Sequence, residues 1–121
     1  TEMGDTIFED CDNLERITLS SSLVSIRFST FNDCHKLKEI VIPASVHLIG
    51  DKTFKNCLEL SKVLFKNPSS LAFIGENVFN TCIFLNETCI PSSVKSIGKY
   101  SFTNCPLTQI TLPSSIYTNN L

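Results

Sequence analysis

Five phenylalanines, Phe8, Phe31, Phe54, Phe79 and Phe102, are each followed three residues later by a cysteine, Cys11, Cys34, Cys57, Cys82 and Cys105. The phenylalanines stand 23, 23, 25 and 23 residues apart. One unit of that length cannot bury its own apolar face, so the chain must stack copies of a short supersecondary motif into a solenoid. Such a scaffold favours an extended binding surface over an enclosed active site.

Aligned on these two columns, the units run 3–25, 26–48, 49–73, 74–96 and 97–119 within a single domain, 1–121. Apolar residues recur in a first strand column as Ile17, Ile40, Val63 and Ile110, and in a second as Leu19, Ile42, Phe65, Ile90 and Leu112. That alternation marks a strand with one buried face. Between Ile26 and Leu37 the apolar residues fall at intervals of five, three and three, which predicts a short helical or 3₁₀ segment. Gly4, Gly50, Gly75 and Gly98 share one phase just before that segment, where a side chain is unwelcome, although Arg27 holds the place in the second unit. Pro43, Pro91 and Pro113 follow the strand and end its ladder. Each unit is therefore expected to supply one strand, a turn and a return segment. A two-residue insertion at 66–69 and the loss of one residue between Cys105 and Leu107 both fall in turns, where a solenoid tolerates them. Met3-Gly4 stands in place of a unit's opening Ile-Gly, and neither end reads as a dedicated cap, which points to a fragment or a self-associating unit.

The run Leu37-x-x-Ile40-x-Ile42-Pro43-x-Ser45-Val46-x-x-Ile49-Gly50-x-x-x-Phe54-x-x-Cys57 resembles the BspA-like class of leucine-rich repeats, and the resemblance spans essentially the whole chain. It implies an α/β fold: a right-handed solenoid of five repeats, with a parallel β-sheet on the concave face and short helical or 3₁₀ turns on the convex face. It also implies surface proteins that mediate adhesion and protein binding. Thr88 departs from the pattern, standing where the first strand column should be apolar.

Composition closes off several functions. Ten basic and twelve acidic residues give a net charge of -2, scattered through the repeats, so no basic field exists for nucleic acid. No apolar run approaches the ~18 to 20 residues of a membrane span, and no charged-then-apolar leader opens the chain. The histidines, His35 and His47, occupy columns of mixed composition, and no phosphate-binding glycine loop or paired-carboxylate cleft is present, so a non-enzyme without cofactor or metal is expected. Five cysteines in one column are expected to act as small buried hydrophobes, because parallel Cβ vectors do not suit a disulfide. That free-thiol ladder fits the cytoplasm, whereas the family resemblance fits the cell surface. Cys89 falls between the buried strand positions and should face outward.

Three candidate contact surfaces follow. The outward strand positions form one column of Arg16, Glu39, Lys62, Glu87 and Gln109, with alternating charge, and a second of Thr18, Val41, Leu64, Cys89 and Thr111, with an apolar centre. Phe28, Leu58, Ile83 and Phe84 stand in otherwise polar columns and are expected to be exposed anchors for self-association. Lys62-Val63-Leu64-Phe65 resembles the docking motif of protein phosphatase 1 regulators, although Val63 and Phe65 fall in buried columns. The expected function is a protein-protein interaction module that associates with copies of itself. The alternatives are a surface adhesion module and an intracellular phosphatase regulator.

Overall fold

The computed structural model describes residues 6–113 and 117–118. Met3, Gly4 and residues 114–116 and 119 of the fifth unit lie outside them. Successive coils stack, and from the second coil on two strands per coil join parallel ladders, whereas the expected strand around Ile17 and Leu19 does not form. The first set comprises the two-residue strands β1 (Ser25–Ile26), β3 (Leu48–Ile49), β5 (Phe73–Ile74), β7 (Ser96–Ile97) and β9 (Tyr117–Thr118), which make one five-stranded sheet in that order. The second comprises β2 (Glu39–Ile42) paired with β4 (Lys62–Phe65), and β6 (Glu87–Cys89) paired with β8 (Gln109–Thr111). The register sets Ile40 beside Val63 and Thr88 beside Ile110, which confirms the alignment of the strand columns. The five-stranded sheet was not expected, because two-residue strands are too short to show an alternation in sequence.

The core is a set of columns running along the solenoid axis. The five repeat phenylalanines form a continuous stack, with ring centroids 5.5 Å apart at each step and interplanar angles of 2° to 17°. Cys34, Cys57 and Cys82 are fully buried beside them, while Cys11 and Cys105 in the terminal coils are half-buried. All six cysteines are free thiols.

The convex segment is not helical; no helix occurs among the described residues. It is a chain of tight turns in which the residues two before and two after each phenylalanine have φ between 53° and 63°, as at Ser29 and Asp33 around Phe31. A left-handed residue at alternate turns breaks the helical path. The backbone donors alternate as well. Thr30, Asn32 and Cys34 donate to carbonyls three residues back in their own coil, whereas Ser29, Phe31 and Asp33 donate to Asp51, Thr53 and Lys55 of the next coil. A helix would consume every donor internally and leave adjacent coils unjoined; the turn chain satisfies both demands.

The shared glycine phase has a steric cause. A Cβ on Gly98 would lie 2.6 Å from the Gly75 carbonyl oxygen, and one on Gly50 would lie 2.8 Å from the Phe28 nitrogen. Both meet backbone, which cannot swing aside. In the column just before each phenylalanine, the buried hydroxyls of Thr53 and Ser101 donate to the carbonyls of Gly50 at 2.7 Å and Gly75 at 2.8 Å, so they add bonds between and within coils.

Candidate functional site: the concave face

The outward columns are exposed as expected, although Arg16 and Thr18 lie in a segment of the first coil that forms no strand. Arg16, Thr18, Val41, Lys62, Leu64, Glu87, Cys89, Gln109 and Thr111 are exposed, and Glu39 is half-buried. Their inward neighbours pack into the core, which fixes the outward ones by the period-2 alternation of a strand. Leu64 is 55% exposed and, with Val41 and Cys89, forms an apolar row bordered by the charged column.

The charge column is only partly paired. Arg16 Nε lies 3.6 Å from Glu39 Oε1, while among the described residues neither Lys62 nor Glu87 has an ion-pair partner. Beside this column Lys38 Nζ meets Glu15 Oε1 at 3.0 Å, and the hydrogen bond from Lys38 holds the Glu15 carboxyl below its ordinary value. β4 and β6, which carry Lys62 and Glu87, are neighbours but form no ladder. Two departures from the repeat flank that interruption: the insertion at 66–69, directly after β4, and Thr88 in β6, whose buried Oγ1 has no hydrogen-bond partner. A groove of about 490 Å³ lies over the break.

The apolar anchors divide into separate places. Ile83 and Phe84 are exposed, Phe84 at 55%, as expected. Leu58 is half-buried, so it does not extend their patch. Phe28 is exposed but sits two coils away at the other end of the turn segment, with Lys52 Nζ 5.8 Å from its ring centroid. The four anchors therefore do not form one surface: Ile83 and Phe84 make one patch and Phe28 stands apart. Sequence reasoning missed a third, on the five-stranded sheet, where the outward neighbours Leu48 and Phe73 are exposed and His47 packs edge-on against Phe73 at 5.6 Å. The phosphatase-like motif forms β4; Val63 is in the core and Phe65 packs partly buried against it. Strand addition to another protein would require β4 to leave its place beside β2.

Among the described residues neither histidine is joined to a nucleophile and a carboxylate by hydrogen bonds. His35 Nε2 lies 3.9 Å from Asp33 Oδ1, beyond hydrogen-bond reach, and no group of three or more potential metal ligands occurs among the described residues. None of the described segments is a helix long and apolar enough to cross a membrane.

A parallel solenoid with one strand-lined concave face, built on this repeat, defines a leucine-rich repeat protein. The chain belongs to the BspA-type leucine-rich repeat family, whose model matches residues 1–120 in six copies. Among solved structures it is similar to TpLRR, a leucine-rich repeat protein of T. pallidum, with 34% identity and a TM-score of 0.89 over 93% of this chain and 52% of that one. A leucine-rich repeat protein of Bacteroides ovatus shares 35% identity at a TM-score of 0.74 over 81% of this chain and 25% of its own. The pneumococcal vaccine antigen PcpA shares 30% at 0.64 over 73% and 21%. The chain thus spans between about a fifth and a half of the length of the structures it matches. No curated protein sequence matches it.

Proposed function

We propose that this chain is a non-catalytic module that binds a protein partner on its concave face and associates with copies of itself through the Ile83/Phe84 patch. The observation that carries the reading is the exposed row Val41, Leu64 and Cys89, bordered by Glu39, Lys62 and Glu87. Apolar side chains inside a charged rim are the usual anatomy of a protein interface. Self-association is supported by the exposure of Ile83 and Phe84 in the two columns that other coils fill with Asp12-Asn13, His35-Lys36 and Leu58-Glu59.

The test is the solution mass from light scattering coupled to chromatography, for the chain and for Ile83→Asp/Phe84→Asp. An oligomer dissolved by the variant supports the patch as the self-contact; a monomer in both removes self-association from the reading. Adhesion at a cell surface is a second reading, favoured by the likeness to the vaccine antigen PcpA. Binding of the chain to immobilised host matrix proteins, abolished by Leu64→Arg, tests it.

A further inference from the structure

The concave strands follow one pattern in sequence, but the structure interrupts their ladder between β4 and β6 as well as before β2, where residues 16–19 form no strand. β4 pairs with β2 alone and β6 with β8 alone, so each keeps an unpaired edge, and the two edges lie side by side in neighbouring coils. Such edges present N–H and C=O groups that lack ladder partners. The groove over them runs from Ser61 along β4 to Phe65, contains Glu87, Thr88 and Cys89 of β6, and reaches Gln109 and Thr111 on the far side. It has a volume of about 490 Å³ and is open to solvent along one side.

Several independent features meet there. Lys62 and Glu87 carry opposite charges on adjacent strands, yet neither has a partner among the described residues, in the column where Arg16 and Glu39 do pair. Leu64 and Cys89 project apolar surface one strand repeat further along. Thr88 is 9% exposed and its Oγ1 is left without a hydrogen bond beneath the break.

We infer that this groove receives an extended peptide segment of a partner protein, with an acidic side chain on Lys62, a basic one on Glu87 and an apolar one against Leu64 and Cys89. The inference rests on the protein-binding reading above and narrows it to one site and one chemistry. Inserting a third strand between β4 and β6 would need another ~4.8 Å of separation, so the segment lies across the open face of the groove and is held by its side chains. The stretch from Ser61 to Phe65 spans ~13 Å at ~3.3 Å per residue, room for four or five extended residues.

The test uses four labelled seven-residue peptides with a central valine, carrying Glu and Lys, Glu alone, Lys alone, or Gln at both charged positions, read by fluorescence anisotropy at low salt. The Glu/Lys peptide is expected to bind most tightly, with about two- to fivefold per charge, as for exposed ion pairs. Lys62→Glu should weaken the Glu peptide and strengthen the Lys peptide; Glu87→Lys should do the reverse. Both side chains are exposed, so the variants should keep the wild-type circular dichroism and melting. Saturating Glu/Lys peptide should slow amide exchange in β4 and β6. Affinities indifferent to these substitutions, or unchanged exchange in both strands, overturn the inference. A partner that is lost with Val41→Asp but insensitive to Lys62→Glu and Glu87→Lys overturns this groove and leaves the concave-face reading standing. A change in solution mass caused by Lys62→Glu or Glu87→Lys makes the occupant a second copy and overturns the partner segment.

Discussion

The thiol of Cys57 donates to the carbonyl oxygen of Phe31, one coil earlier, at 3.2 Å in the interior. The same bond joins Cys34 to Phe8 at 3.0 Å, Cys82 to Phe54 at 3.2 Å and Cys105 to Phe79 at 2.8 Å. A cysteine is a small hydrophobe that still carries a weak donor, and this column needs both properties. Cys57→Ala removes the donor and leaves a small void, so it should cost about 1 to 2 kcal/mol, given ~1 kcal/mol for a net hydrogen bond. Cys57→Leu must overpack a column of fixed spacing and should cost about 1 to 3 kcal/mol. The check is the urea midpoint of each variant at constant slope; an unchanged midpoint in both would remove the column from the account of stability.

Burial pushes the Cys34 thiol up to about 11 and the Cys57 thiol further. Their unfolded values lie near 9, so the raised folded values keep the proton on in the native state. The sign follows: this stabilisation is complete below about pH 9 and is lost as pH rises through about 11, because the unfolded chain releases protons that the folded one retains. Urea midpoints measured under reductant between pH 8 and 11 should fall, and the fall should shrink in Cys34→Ala. At pH 8 a disulfide reagent should modify the exposed Cys89 rapidly and leave Cys34, Cys57 and Cys82 untouched until the chain unfolds. Rapid titration of more than the exposed and half-buried thiols would contradict the buried ladder.

Thr88 offers the opposite kind of variant. Its hydroxyl is buried without a partner, and Ile40, Val63 and Ile110 hold the equivalent place in other coils. Thr88→Val keeps the shape and removes an unsatisfied group, so it should raise stability by about 1 to 2 kcal/mol. A loss on making this change would mean that the hydroxyl is satisfied in solution.

How much of this was legible in sequence depends on the distance over which each feature is encoded. Phe31 and Cys34 repeat in every unit, and Ile40 and Ile42 have apolar counterparts in every unit except at Thr88, so their burial followed from the period alone. The turn conformation did not follow, because apolar spacing around Phe31 fits a helix as well as a stacked turn. A signal was present: Asp10, Asp33, Asn56 and Asn104 share one column, and Asp and Asn tolerate positive φ better than most residues. The exposed Leu48 and Phe73 were missed because a strand of two residues has no periodicity to read. Thr88 and the insertion at 66–69 were both visible as departures. Their joint effect, the break between β4 and β6, depends on how one coil sits on the next and has no counterpart in the linear pattern.

The glycine phase gives a last test of that stacking. A Cβ at position 98 would lie 2.6 Å from both the carbonyl carbon and oxygen of Gly75 and 2.6 Å from the nitrogen of Glu76. All three atoms belong to backbone held by the ladder, and the Gly98 amide itself donates to Ile74 at 2.9 Å, so neither coil can retreat without loosening that bond. Gly98 has no positive φ, which leaves contact, not conformation, as the reason for glycine here. Gly98→Ala should therefore destabilise by about 1 to 3 kcal/mol despite the lower entropy of the unfolded chain. The neighbouring Lys99 is exposed, and Lys99→Ala should stay within about 0.5 kcal/mol of wild type. If calorimetry finds the two substitutions equally mild, the coils stand further apart at Gly98 than the structure places them, and the close approach cannot be what holds glycine in this column.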